Sequence, residues 1–170
     1  MKHLQTHRSF VSYIDRTREF YRAQGYLDAY GWPRHDEVPF TPLGKPLAEC
    51  RVGLVTTAGK PQAKVKTDPL GLGLEVRDLY AEPMIPPPTH LFTDDLFWDK
   101  ESTHTEDIDS FMPVNRVREY AAQGRVGSLS PRFYGVPTDY SQSRTSKHYA
   151  PRILEWCRED GVNAVLLTAL

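Results

Sequence analysis

Three stretches of this 170-residue chain hold side chains whose types and spacing could do chemistry. The densest is Asp94 to Asp109, DDLFWDKESTHTEDID, with seven carboxylates and His104 against one lysine. Crowded carboxylates raise one another's pKa and suit proton transfer, and an oxygen-rich cluster can bind hard cations. His104, Asp107 and Asp109 would form an acid–base relay if they converged, because imidazole titrates near neutrality and a carboxylate can fix its tautomer. The plainer reading is a solvated acidic loop: the EF-hand and HEXXH spacings are absent, and no metal site is expected.

The second stretch is TTAG, Thr56 to Gly59, at the end of an apolar run. The hydroxyls of Thr56 and Thr57 and the turn at Gly59 could present donors to an anionic ligand, although the GKS or GKT ending of a phosphate-binding loop is missing. A structural turn is the alternative. The third stretch carries Arg116, Arg118 and Arg132. Facing a cleft, Arg116 could clamp a carboxylate bidentately; paired to the acidic loop, these arginines would simply hold the fold.

These groups need a scaffold. RVGLVTT, Arg51 to Thr57, reads as a strand rich in β-branched residues, and a further strand is possible at Glu75 to Tyr80 within otherwise irregular Gly- and Pro-rich sequence. VNRVREYAAQG after Pro113 predicts a short helix closed by Gly124, and RVGSLS a short strand. Ser141 to Ser146 reads as polar loop. APRILEWCRED predicts a helix with Pro151 in its first turn, Ile153, Leu154 and Cys157 toward a core, and Gly161 as its stop. The closing run GVNAVLLTAL has the pattern of a strand buried on both faces of a parallel sheet, and Thr168 lies at its end. Strand, helix, strand, helix, strand is an α/β order, with parallel layers of flavodoxin or Rossmann type expected. Ligands in such folds sit beyond the carboxyl ends of the strands, which is where Thr56, Thr57, Gly59 and Thr168 fall.

Before Arg51, residues 3 to about 24 predict an amphipathic helix ended by Gly25, followed by a connector with four prolines between Pro33 and Pro46. The expected organisation is therefore 1–50 as helix and connector and 51–170 as the α/β domain. Lysine and arginine number 21 against 22 acidic residues, so no basic footprint for nucleic acid exists. No signal peptide or membrane span is legible. Cys50 and Cys157 lack metal or CxxC spacing and read as inert packing in a reducing, cytoplasmic protein.

Taken in order, VGLVTTAG, THTEDIDSFMPVNRVREYAAQGRVGSLSPRFYGVPTDYSQSRT and APRILEWCREDGVNAVLLTAL resemble the selenoprotein B family of glycine, sarcosine, betaine and D-proline reductases. The resemblance covers roughly Arg51 to Leu170. Two positions depart from the family pattern: Asp109 stands where asparagine is usual, and Asn115 where aspartate is usual. The resemblance implies an oxidoreductase acting on a small amine or amino-acid derivative through a selenocysteine or cysteine nucleophile. That residue is expected immediately after Leu170, so the 170 residues would be inactive alone and would form an incomplete half of a larger α/β protein. A UGA selenocysteine codon read as termination would produce this ending; a genuine short paralogue or an unrelated truncation are the alternatives. The resemblance also implies partner subunits, some of which carry a pyruvoyl group. Within the chain, His104, Asp107, Asp109 and Arg116 are then candidates to line the site. A non-catalytic binding or regulatory subunit and a stand-alone thiol redox protein remain as other readings.

Overall fold

The computed structural model describes residues 12–28, 36–38, 40–59, 66–67, 75–76, 78–91, 101, 104–138 and 141–170. It divides into two compact units, 1–39 and 40–170. In the first, α1 (Tyr13–Ala23) is capped by Ser12, whose hydroxyl accepts from Asp15 N–H, and Gly25 follows at φ 92°. The expected start near residue 3 lies outside the described residues. None of the helix residues is buried.

The second unit is a mixed, mostly parallel sheet. Its central strand, β1 (Arg51–Thr56), is buried from Val52 to Thr56. On one edge the carbonyls of Cys50, Val52 and Thr56 accept from Ser128, Ser130 and Val136, which places β5 (Ser128–Leu129) and β6 (Arg132–Gly135) end to end and parallel to β1. On the other edge β1 runs parallel to β7 (Ala164–Thr168), in register from Val52 with Ala164 to Thr56 with Thr168. The sheet continues beyond β6 with β4 (Tyr80–Pro83), which is antiparallel. A separate antiparallel pair is formed by β2 (Lys66–Thr67) and β3 (Glu75–Val76).

Both faces of β1 are covered. Val52 and Leu54 join Phe133 and the α2 (Val114–Ala122) residues Val114 and Val117 in one apolar cluster. Val55 and Tyr134 join Ile153 and Cys157 of α4 (Ala150–Glu159) in the other. Such a strand has no polar face, which is why it reads as a continuous apolar run. Gly124, at φ 71°, and Gly161, at φ 66°, follow α2 and α4 in the left-handed conformation that ends helices.

The α/β expectation holds, with corrections in detail. The strand expected over Glu75–Tyr80 is two separate pieces, β3 and β4, in different sheets. The strand expected in RVGSLS shrinks to Ser128–Leu129, and the unexpected β6 follows after Pro131, which has no N–H to give a ladder. Ser141–Ser146 is helical rather than loop. Ser141 caps α3 (Gln142–Arg144), and Thr145–Tyr149 winds as a π-helical turn directly into α4. Pro151 cannot donate to the carbonyl of Lys147, so the ladder changes pitch where that donor is missing. Leu154 is 49% exposed because it lies off the stripe that carries Ile153 and Cys157. Finally, β7 is not buried on both faces. Among the described residues it pairs on one edge only, with Val165 44%, Leu166 40% and Leu167 74% exposed.

Candidate functional site

The carboxyl ends of β1 and β7 lie side by side, and short side chains tie them together. Thr168 Oγ1 donates to the carbonyl of Val55 at 3.2 Å. Thr57 Oγ1 accepts from Leu170 N–H at 3.0 Å and lies 3.2 Å from the Leu170 carbonyl, which it can serve as donor. The half-buried Thr57 thus fixes the backbone two residues past β7. Thr56, one residue earlier, is fully buried, and its hydroxyl accepts from Ala58 N–H at 3.2 Å. That bond shapes the turn leading to Gly59, and Tyr80 OH closes it by donating to the Ala58 carbonyl. Burial and the nearby Glu82 push the Tyr80 phenol well above its usual range, so it stays protonated as a donor. Gly135 is obligatory here, since a Cβ would overlap the Tyr80 ring.

The acidic stretch reaches this region through its apolar residues. Ile108, Phe111 and Met112 belong to the same cluster as Ala58, and Leu170 packs against it. Their polar neighbours are already engaged in turn formation. Asp107 accepts from Asp109 N–H at 3.0 Å and so starts the 3-10 turn Ile108–Ser110. Asp109 in turn accepts from Asn115 N–H at 2.8 Å, supplying for α2 the cap that Pro113 cannot provide. Arg116 lies 3.8 Å from Asp109 and 2.9 Å from Glu119, with its side chain 61% exposed. The structure therefore links Asp107 to Asp109 and Asp109 to Arg116, with the Asp107 carboxylate engaged by the 3-10 turn and that of Asp109 by the start of α2. His104 is exposed and makes no hydrogen bond to Asp107 or Asp109 among the described residues. Residues 94–100 and 102–103 of the stretch lie outside the described residues. No group of three or more His, Cys, Asp or Glu side chains among the described residues could hold a metal ion.

The strongest polar constellation was not legible beforehand, and it stands at the opposite end of the strands. Asp160, just after α4, accepts from Arg132 Nε at 2.8 Å and Nη2 at 2.9 Å and from Tyr134 OH at 2.6 Å. Ser130 Oγ lies 2.9 Å from Tyr134 OH, and Arg51 donates to the Asp160 carbonyl at 2.7 Å. Burial opposes the charge on Asp160, but the hydrogen bonds from Arg132 and Tyr134 outweigh it and hold the carboxyl below its ordinary range. The same bond to Asp160 pushes the Arg132 guanidinium up, and burial followed by that bond raises the Tyr134 phenol. Each partner is thus held in the form that makes the bonds. The sequence signal was three polar side chains at strand and helix ends, with Arg132 and Asp160 28 positions apart.

Both cysteines are buried free thiols. Burial raises the Cys157 thiol further, and a thiol held protonated is a poor nucleophile, which counts against a thiol redox role. No helix among the described residues is long and apolar enough to cross a membrane.

Residues 98–170 match the sequence family described as glycine/sarcosine/betaine reductase selenoprotein B. The chain is 26% identical over 159 residues to the glycine reductase complex component B subunit gamma of Symbiobacterium thermophilum, covering 87% of this chain and 35% of that protein. It is 26% identical to the subunit of the same name from Carboxydothermus hydrogenoformans, covering 87% of this chain and 34% of the relative. It is 29% identical over 133 residues to the D-proline reductase subunit gamma of Acetoanaerobium sticklandii, covering 76% and 52%. The chain thus spans between about a third and a half of the length of these curated relatives. No solved structure matches it.

Proposed function

We propose, from the likeness of residues 98–170 to reductase selenoprotein B, that this chain is the strand-end scaffold of a selenol- or thiol-dependent reductase of a small amine or amino-acid derivative. The nucleophile is a selenocysteine or cysteine that follows Leu170. The observation that carries the reading is the pair of contacts between Thr57 Oγ1 and the Leu170 backbone. They hold Leu170 at the carboxyl ends of two parallel strands, the place where α/β folds put their reacting groups.

A selenolate there supplies a nucleophile ionised at neutral pH, which thiols afterwards return to the selenol. The chain's own residues do the positioning. Thr168 and Thr57 fix the strand end, Thr56 and Tyr80 shape the facing turn at Ala58–Gly59, and Asp109 anchors the acidic segment at the start of α2. His104, exposed at the start of this segment, is assigned the proton exchange with substrate. Amine activation comes from a partner subunit, for which a pyruvoyl group is the candidate, in a reducing cytoplasmic setting.

The nucleotide sequence from the Leu170 codon onward tests the reading. A UGA or cysteine codon followed by codons for Pro-x-Cys and further α/β periodicity supports it. A UAA or UAG codon at that point overturns the nucleophile assignment and leaves a non-catalytic subunit.

A further inference from the structure

At the amino ends of β1 and β5 the sheet has a gap. β4 pairs with β6 but leaves the sheet after Pro83, so β5 has no neighbour on its outer edge among the described residues. An open cleft of about 540 Å³ occupies the place, bounded by α2 on one side and by Met84, Ile85 and Pro131 on another. Its polar lining is one-sided. Arg51 from β1 and Arg118 from α2 both border it, and neither makes an ion pair among the described residues. Arg51 is held instead by neutral oxygens, the Asp160 carbonyl at 2.7 Å and Ser128 Oγ at 3.4 Å.

The backbone adds a donor. Ser128 and Ser130 give their N–H groups to β1, so the alternation of a parallel ladder turns the Leu129 N–H toward the open edge. Two guanidinium groups without a carboxylate and one edge N–H, against the Leu129 carbonyl on the same edge and no acidic side chain in the lining, leave the cleft with an excess of donors and of positive charge. Like charges sharing a cleft repel, and an anion between them removes that cost. The fork of a guanidinium matches the two oxygens of a carboxylate. The exposed apolar side chains of Ile85 and Pro131 offer nothing to a fully hydrated inorganic anion but would cover a hydrocarbon tail.

We propose that this cleft binds a small monocarboxylate with an apolar tail, its carboxylate between Arg118 and Arg51 and its tail along Ile85 and Pro131. Titration of the isotope-labelled protein with hexanoate, acetate and inorganic phosphate, read at the Leu129 amide by NMR, tests it. Hexanoate is expected to shift that amide saturably and to bind at least about tenfold more tightly than acetate, through its extra buried methylenes. Arg118→Gln, at an exposed helix position, is expected to weaken hexanoate about tenfold or more with an unchanged melting temperature. Arg118→Lys, which keeps the charge without the fork, should fall between the two. Absence of a saturable shift at tens of millimolar, or equal binding by Arg118→Gln, overturns the site. Phosphate or acetate binding as tightly as hexanoate overturns the tail and its wall.

Discussion

The two ends of the parallel strands are built differently. At the amino ends, Asp160 receives three side-chain hydrogen bonds of 2.6–2.9 Å from Arg132 and Tyr134, and it joins β6 to the end of α4. At the carboxyl ends the contacts are single hydroxyls on backbone groups, with Thr168 on Val55 and Thr57 on Leu170. Several charge-assisted bonds to one carboxylate fix a single geometry, while single hydroxyl bonds to backbone groups hold the strand ends more loosely. The fold therefore spends its rigid chemistry at one end of the sheet and leaves adaptable groups at the other.

The largest effect expected from breaking this contrast is at Asp160. Asp160→Ala leaves the Arg132 guanidinium with only Glu159 and the buried Tyr134 phenol with only Ser130 as partners, and should cost about 2 kcal/mol in urea unfolding. A cost below about 1 kcal/mol would show that the amino ends are no better fixed than the carboxyl ends.

Acid reads the same network without a mutation. The folded-state pKa of Asp160 is lowered from 3.8, so its stabilisation is fully present above that value. It is lost as pH falls through the lower folded value. The unfolding free energy of the wild type should therefore fall more steeply below about pH 4 than that of Asp160→Asn, and the two curves should run parallel above about pH 5. Parallel curves throughout would remove the charge of Asp160 from the account.

At the other end, Thr57→Val should cost only about 1 kcal/mol globally, the ordinary worth of its hydrogen bonds. Its local effect is more telling: exchange of the Leu170 amide should speed up while that of Leu54, in the middle of β1, is unchanged. Equal acceleration at both would mean that the strand end is tied into the global core.

The same contrast governed what the sequence revealed. β1, α2 and α4 were legible because each buries a continuous or helical stripe and ends at a threonine turn or a glycine, and Gly124 and Gly161 do take positive φ. β6 was hidden because Phe133 and Tyr134 enter clusters on opposite faces, so four residues after a proline show neither alternation nor length. The helical start at Gln142 has no apolar stripe to announce it, and Ser141 capping Arg144 N–H at 3.3 Å was its one local signal. Of the site, the strand-end threonines followed from topology alone. The use of Asp107 and Asp109 as caps did not, because a carboxylate that caps a 3-10 turn or a helix has the same letters as one in a relay. The Arg132–Asp160 pair was invisible for a different reason: sequence shows charge, but not which distant charge answers it.

The smallest effect expected in this chain sharpens the comparison most. Leu167 on β7 is 74% exposed, so Leu167→Thr removes little buried surface, and threonine is as good a strand former. Its cost here should stay within about 0.5 kcal/mol. In a longer protein that continues past Leu170 with reductase-type sequence, a further strand and helix would bury Leu167. The same change should then cost about 2 kcal/mol, as for an apolar core side chain. An equal, small cost in both proteins would mean that β7 remains an edge, and that the carboxyl ends of the strands face solvent rather than a second half of the site.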